Sequence, residues 1–260
     1  MSRRSSLVGA VALVLLVSVV AACSSDDKTT ATANSVSGSI KVSAAASLTE
    51  AFNGLQTTLK KEEPDLSITY NFGGSGALVT QIQQGAEIDV IAAADTDSMK
   101  KLQNDGSVEE PVIFAHNKLE ILVRPGNPKQ IKGMADLARP DIKFVTEDET
   151  VPAGKYSAQA LANAGVTVSP VSKEPDVKAA VAKVTSGEAD ATIVYQTDVT
   201  AAGAKGEGVE IPDAQNIIAN YPIAILKATK NHGGAAAFVD AVVHGSGQDA
   251  LQQRGFLAVT

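Results

Sequence analysis

Short apolar runs alternate with longer helical patterns along this chain, and that alternation constrains the fold more than any other feature. In the first half of the sequence, three strand-length runs are each followed by a helical pattern, at 39–44 and 48–61, 67–71 and 77–84, and 89–93 and 96–105. Strands that alternate with helices pack as right-handed βαβ units around a mostly parallel sheet. The sequence therefore predicts an α/β fold.

The second half of the chain continues the alternation and contains two further strands. The alternating segments are a strand at 143–146, helices at 154–164 and 177–186, a strand at 191–195, and helices at 235–244 and 248–253. The further strands, KLEILVR and YPIAIL, resemble each other in character. We interpret them as crossings between two lobes, each a mostly parallel sheet flanked by helices, with a ligand cleft between them. Lobe I is then 38–117 and 225–260, and lobe II is 118–224.

The first residues have the pattern of a lipoprotein leader. Arg3 and Arg4 precede the apolar stretch 7–22, which runs directly into Cys23, the only cysteine of the protein. A small-residue cleavage site followed by cysteine is what attachment of a lipid requires. We therefore predict a signal peptide over 1–22 and a lipid anchor on Cys23 at the outer face of the cell membrane. An uncleaved membrane anchor is the alternative, but the stretch is shorter than the ~20 residues of a span.

Composition constrains the segment after the leader and the class of partner. Residues 23–37 are polar and predict a disordered tether, because such a segment buries too little apolar surface to become ordered. The formal net charge of -7 argues against a nucleic-acid partner. An anionic ligand would therefore have to be attracted by local dipoles, against an unfavourable overall charge.

Four turns that connect a strand to a helix carry small or hydroxyl residues. Ligands of α/β sheets lie beyond the carboxyl ends of strands, where helix N-termini present free N–H groups. In the first turn, AAASLTE, Ser47 and Glu50 have the spacing of a capping box. We expect the Glu50 carboxylate to accept from the Ser47 amide. The Ser47 hydroxyl is then either only a helix cap or also a ligand donor.

The second turn, FGGSGA, carries Ser75 among three glycines. It is either a flexible loop or a site where exposed amides and one hydroxyl bind a ligand. An envelope serine hydrolase is the enzymatic alternative, with Ser75 as nucleophile and His116, His232 or His244 as base. Its Gly-x-Ser-x-Gly elbow is incomplete because Ala77 replaces the last glycine, and none of the four turns contains a histidine.

The third turn, TVPAGKY, places Pro152 at the start of a helix, so the backbone amide of Ala153 lies in the first helical turn. Its Gly-Lys pair is similar to the end of a P-loop, but Glu149 occupies the position of the required first glycine, which excludes that motif. The acidic run 147–149 before it predicts a solvated edge that points away from the cleft.

The fourth pair of segments is EPDV and IVYQTD. Val177 opens a helix and offers only its amide, whereas Tyr195 ends a buried strand and offers a phenolic hydroxyl. Taken alone, both residues are typical of a hydrophobic core.

Together, AAASL, FGGSGAL, VPAGKYS, EPDV and IVYQTD resemble, in order and spacing, the periplasmic molybdate-binding proteins of ABC transporters, which have the type II periplasmic-binding-protein fold. The resemblance extends over about 39–256. It implies a tetrahedral oxyanion, molybdate or tungstate, bound by hydroxyls and main-chain amides without any cationic side chain. At the matching positions it implies the ligand residues Ser47, Ser75, Ala153, Val177 and Tyr195.

The resemblance also implies a monomer that docks on a membrane permease, with no catalysis and no cofactor. The only metal it implies is the molybdenum or tungsten atom of the bound oxyanion. The chain departs from the family where Gly73, Gly74 and Gly76 occupy a loop that is often rich in serine. A pocket of donors suits a full dianion such as molybdate or sulfate, whereas phosphate carries a proton and needs an acceptor. A sulfate binder of the same fold is the nearest alternative, and only the size of the cavity distinguishes it.

Overall fold

The computed structural model describes residues 36–259. The predicted signal peptide, Cys23 and nearly all of the predicted tether lie outside the described residues. Among the described residues, none of the helices combines the length and the apolar character that crossing a bilayer would require.

The first part of the chain forms three strands, each followed by a helix. The elements are β1 (Gly38–Ala45), a 3-10 turn (Ala46–Leu48), α1 (Thr49–Glu62), β2 (Leu66–Gly73), α2 (Ser75–Gln83), β3 (Val90–Ala92) and α3 (Thr96–Asn104). Strand β1 lies between β2 and β3 and is parallel to both. The predicted βαβ order of this region is confirmed.

Two strands connect this region to the rest of the sheet. Strand β4 (Val112–Val123) is longer than the predicted 118–124, and β9 is Ile218–Ile225. The first half of β4 pairs with β9, and its second half pairs with β7 (Ala191–Tyr195) and β8 (Glu207–Glu210). All of these pairs, and the pair of β9 with β3, are antiparallel, so the sheet is mixed where the two crossing strands enter it. The predicted lobes would share these two strands, and the lobe boundaries stay a prediction.

The second part of the chain supplies shorter strands and more helices. The elements are a 3-10 turn (Met134–Ala138), β5 (Val145–Glu147), α4 (Pro152–Asn163), β6 (Ser172–Glu174), α5 (Val177–Thr185), β7 (Ala191–Tyr195), α6 (Gln196–Ala202), a 3-10 turn (Gly203–Lys205) and β8 (Glu207–Glu210). Strands β5 and β6 are parallel, and a parallel bridge from Phe144 to Ala191 joins them to β7. Helices α4 and α5 end within one residue of the predicted 164 and 186. Each is followed closely by a glycine, Gly165 or Gly187, whose φ of 67° or 82° terminates a helix.

The last two helices pack against the first part of the chain. They are α7 (His232–Val243) and α8 (Ser246–Gln252), and α8 contacts α1. Phe238 of α7 is fully buried, with its ring 5.5 Å from that of Phe52 and 6.1 Å from that of Tyr70. An aromatic cluster of this kind stabilises the fold through its large buried apolar area.

Candidate functional site

The four predicted turns meet at one cavity. Its lining includes all five predicted site residues, Ser47, Ser75, Ala153, Val177 and Tyr195, and each of them is buried. Every one follows or ends a strand, so the carboxyl ends of β1, β2, β5, β6 and β7 face the same space. The cavity is small, with a volume of about 10 Å³ in this structure. Its lining therefore suits a small ligand that several buried residues contact at once.

Ser47 lies in the 3-10 turn between β1 and α1. Its Oγ is 2.9 Å from the hydroxyl oxygen of Tyr221, and a longer contact of 3.5 Å joins that oxygen to Asn117 Nδ2. Asn117 Oδ1 accepts from the Lys118 amide, which fixes Nδ2 as the donor. The Tyr221 oxygen can accept from Asn117 and donate its own proton to Ser47, and either hydroxyl of this pair can be the donor. With Tyr221 as the donor, the Ser47 hydroxyl proton is free for a ligand.

The predicted capping box at Ser47 is wrong. Helix α1 begins only at Thr49, because the 3-10 turn separates it from β1, and no side chain caps it. The Glu50 carboxylate does not accept from the Ser47 amide. It accepts instead from Lys178 Nζ of α5, at 2.6 Å.

Ser75 is the first residue of α2 and is fully buried. The Ala94 amide, just beyond β3, donates to its Oγ at 3.0 Å. Because this bond occupies a lone pair of the oxygen, the hydroxyl proton can be donated into the cavity. Ser75 thus accepts from the protein and can donate to a ligand, and Ser47 can do the same when Tyr221 is its donor.

Three helix N-termini point their first amides at the cavity. The first amides of a helix have no intrahelical acceptor, and no side chain caps α2 or α4. Helix α5 is capped by Asp176, whose carboxylate accepts from the Ala179 amide at 3.0 Å and leaves the Val177 amide free. Each N-terminus carries a partial positive charge of about 0.5. The cavity is therefore attractive to an anion, although its lining contains neither lysine nor arginine.

The Tyr195 hydroxyl is a buried donor without a partner. Tyr195 ends β7, is 1% exposed, and its hydroxyl lies near that of Tyr221 but forms no hydrogen bond of ordinary geometry with any described residue. Burial raises the pKa of this phenol well above its ordinary value, so it keeps its proton. A buried polar group without a partner costs about 1–3 kcal/mol. An acceptor that enters the cavity would remove this cost.

The prediction that the whole acidic run 147–149 is a solvated edge is wrong for its first residue. Asp148 and Glu149 are exposed, but Glu147 is fully buried and neither of its carboxylate oxygens has a hydrogen-bond partner. It ends β5, where alternation places it on the same inward face as Val145. Burial, followed by the nearby Asp198 and other acidic groups, raises the pKa of Glu147 to about 8. Glu147 is therefore mostly neutral at pH 7.

Two ion pairs connect the first part of the chain to the second around this region. Lys178 of α5 pairs with Glu50 of α1 and, at 3.0 Å, with the buried Asp198 of α6. Lys155 of α4 pairs with Asp97 of α3. These bridges hold the helices on opposite sides of the cavity together.

The histidines of the hydrolase alternative lie elsewhere. His232 bonds Glu109 and His244 bonds Asp240, both at exposed positions, and His116 lies within β4. None of the three lines the cavity that contains Ser75. Among the described residues, no group of three or more histidine, cysteine or acidic side chains is placed to bind a metal ion.

The sequence matches a known family over most of its length. Residues 40–257 fit the profile of the family described as bacterial extracellular solute-binding protein. The chain belongs to this family. It is a family of solute-binding proteins rather than of enzymes, and the expected family and fold are confirmed.

Two curated relatives carry more specific names. This solute-binding protein is 36% identical over 245 residues to the molybdate-binding protein ModA of Mycobacterium tuberculosis, covering 93% of this chain and 94% of that one. It is 28% identical to a putative ABC transporter substrate-binding lipoprotein, YvgL, of Bacillus subtilis, over 92% of this chain and 94% of that one.

Solved structures have the same fold. The substrate-binding domain of a putative molybdenum ABC transporter from Clostridium difficile is 30% identical, with a TM-score of 0.64, over 85% of this chain and 99% of that one. The Azotobacter vinelandii periplasmic molybdate-binding protein is 21% identical, with a TM-score of 0.74, over 85% and 100%. The type II periplasmic-binding-protein fold is thereby confirmed.

The buried acid next to the site gives a testable pH dependence. Glu147 keeps its proton up to about pH 8 in the folded protein but loses it near pH 4.5 in the unfolded chain. Between these values the folded state binds one more proton, so the free energy of unfolding falls by roughly 1.4 kcal/mol per pH unit as pH rises. We expect Glu147→Gln to remove this contribution to the slope.

Urea denaturation at several pH values between about pH 5 and pH 8 measures the slope. Glu149→Gln is the matched control, because the side chain of Glu149 is 74% exposed and lies two residues away. If Glu147→Gln and Glu149→Gln both keep the slope of the unmodified protein, the carboxyl of Glu147 is not protonated in the folded state.

Proposed function

We propose that this solute-binding protein captures molybdate, and also tungstate, outside the cytoplasmic membrane and delivers it to an ABC importer. The observation that carries the proposal is a small buried cavity lined by donors without acceptors of their own. Those donors are the Ser47, Ser75 and Tyr195 hydroxyls and the first amides of α2, α4 and α5. The ModA relatives support molybdate as the ion.

The polarity of the cavity selects the class of ion. Molybdate and sulfate are full dianions at neutral pH and only accept hydrogen bonds, so a set of donors satisfies all their oxygens. Phosphate carries a proton that needs an acceptor. The one carboxylate in the lining, Asp176, accepts from the Ala179 amide through Oδ1 as the cap of α5. Its Oδ2 is the carboxylate oxygen that could accept from phosphate, whereas a full dianion needs only the donors.

Neutral donors are sufficient for useful affinity. A hydrogen bond to a charged group contributes about 1.5–3 kcal/mol. About seven such bonds exceed the roughly 8 kcal/mol of a micromolar complex before the cost of association is subtracted. Discrimination between molybdate and sulfate then depends on size, because bonds to molybdenum are longer than bonds to sulfur.

The cellular role follows from the same proposal. The protein acts as a monomer, is attached to the outer face of the membrane through lipid on Cys23, and docks on a permease after binding the ion. It carries out no catalysis and needs no cofactor. The lipoprotein name of the Bacillus subtilis relative supports the anchor.

Thermal unfolding with different oxyanions tests the function. We expect molybdate and tungstate, at a thousand times their dissociation constant, to stabilise a soluble chain beginning at residue 36 by about 4 kcal/mol. For a chain of this size that is a rise in melting temperature of roughly 8–16 °C. At the same concentration, sulfate should give a clearly smaller rise, and phosphate little or none. A large shift with sulfate instead would indicate a sulfate binder, and no shift with any of the four would exclude an oxyanion site.

Removing the Tyr195 hydroxyl tests the site itself. Because this hydroxyl has no partner within the protein, Tyr195→Phe should leave the stability of the unliganded protein unchanged or higher. It should weaken molybdate binding about 10- to 100-fold, the effect of one lost hydrogen bond to a charged ligand. Isothermal titration calorimetry measures the affinity.

Tyr70→Phe is the matched control. The Tyr70 hydroxyl bonds the Phe52 carbonyl at 3.1 Å and lies outside the cavity. This variant should lose stability and keep its affinity for molybdate. Equal affinities for the two variants would remove Tyr195 from the binding site.

A further inference from the structure

We propose that Gly74 and Gly76 set how closely the two sides of the cavity approach each other, and thereby the size of oxyanion that the protein binds most tightly. The inference rests on the proposed function. It concerns two residues that need not touch the ion. Their importance lies in having no side chain.

Both glycines lie against backbone from the second part of the chain. A Cβ at Gly74 would lie 2.8 Å from the Pro175 carbonyl oxygen, and a Cβ at Gly76 would lie 2.5 Å from the Thr150 carbonyl oxygen. Carbon and oxygen atoms that are not bonded stay well beyond these distances. Because the opposing atoms belong to the main chain, a rotamer change cannot relieve the clash.

Backbone conformation does not explain these glycines. Gly74 has φ −65° and ψ 133°, which any residue adopts, and Gly76 is not among the residues with positive φ. The missing Cβ is therefore required by space alone. Gly73, in the same turn, is different, because a Cβ there would meet only the Leu78 side chain at 3.5 Å, an ordinary contact.

The opposing backbone carries ligand donors. Thr150 precedes Val151 and Pro152 at the start of α4, and Pro175 precedes the cap of α5. To admit a Cβ at Gly76, the Thr150 carbonyl would have to retreat by roughly 0.5–1 Å. The Ala153 amide, three residues on, would retreat with it, away from Ser75 on the opposite side. The Asp97–Lys155 and Glu50–Lys178 ion pairs oppose such a separation.

A wider cavity has an effect that depends on the size of the ion. A larger oxyanion still reaches donors on both sides, whereas a smaller one loses donors on one side. A Cβ at these positions should therefore weaken binding of sulfate by a larger factor than binding of molybdate. General loss of stability would weaken both by the same factor.

The test is a graded series in the full chain, with Gly73→Ala, Gly74→Ala and Gly76→Ala predicted to increase in effect in that order. Isothermal titration calorimetry with molybdate and with sulfate gives the two affinities for each variant. We expect Gly73→Ala to keep the unmodified protein's ratio of molybdate to sulfate affinity, because its added Cβ meets no backbone of the opposite side. Gly76→Ala should bind molybdate about tenfold more weakly or worse, the effect of losing one charged hydrogen bond, with a larger loss for sulfate.

Each outcome decides the inference. Similar affinities across the series, or equal losses for the two ions, would overturn it. If Gly76→Ala does not fold, the affinities of Gly74→Ala and Gly73→Ala are compared instead. That comparison tests the same inference at Gly74, where the added Cβ would lie 2.8 Å from the Pro175 carbonyl oxygen. An unmodified protein that binds neither ion would instead refute the proposed function, so the two failures are distinguishable.

Discussion

Buried hydrogen-bond donors without acceptors are the constraint on which the rest of the structure depends. The Tyr195 hydroxyl and the first amides of α2 and α4 lie at a cavity lined by buried residues, and no side chain of the described residues accepts from them. An unmade buried hydrogen bond is expensive, so an arrangement that concentrates several of them is stable mainly when a ligand accepts from all of them. The fold brings them together because the carboxyl ends of five strands open onto this one space.

The protein is acidic, and the groups at its cavity that could bind an anion are neutral hydrogen-bond donors. The chain carries a formal net charge of -7, and Glu147 and Asp198 are buried near the site. Burial raises the pKa of Glu147 to about 8, which removes most of its charge at neutral pH. Lys178 pairs with Asp198 and compensates its charge. An anion therefore meets oriented dipoles and few uncompensated charges, which is how neutral donors are able to bind a dianion.

Much of this arrangement could be predicted from the sequence because it depends on local patterns. Apolar runs and helical patterns gave most strands and helices to within a few residues. The four turns could be expected to meet, since the ends of parallel strands share an edge of the sheet. The short elements β6, α6 and β8 were missed because a few residues show too little periodicity.

The errors came from features that only the folded chain has. The 3-10 turn after β1 moved the start of α1, which freed Glu50 to pair with Lys178 of a distant helix. The acidic run looked solvated by composition, but strand alternation turned Glu147 inward. Tyr221 and Asn117, which orient the Ser47 hydroxyl, meet through the pairing of β4 with β9, and no local pattern indicates which strands pair.

Anomalous diffraction at the molybdenum absorption edge, from crystals grown with molybdate, tests the central claim most directly. The account predicts a peak inside the cavity, with ion oxygens at about 2.7–3.1 Å from Ser47 Oγ, Ser75 Oγ and Tyr195 Oη, and no lysine or arginine in contact. A peak only at the surface beside cationic side chains, with the cavity empty of molybdenum, would contradict it.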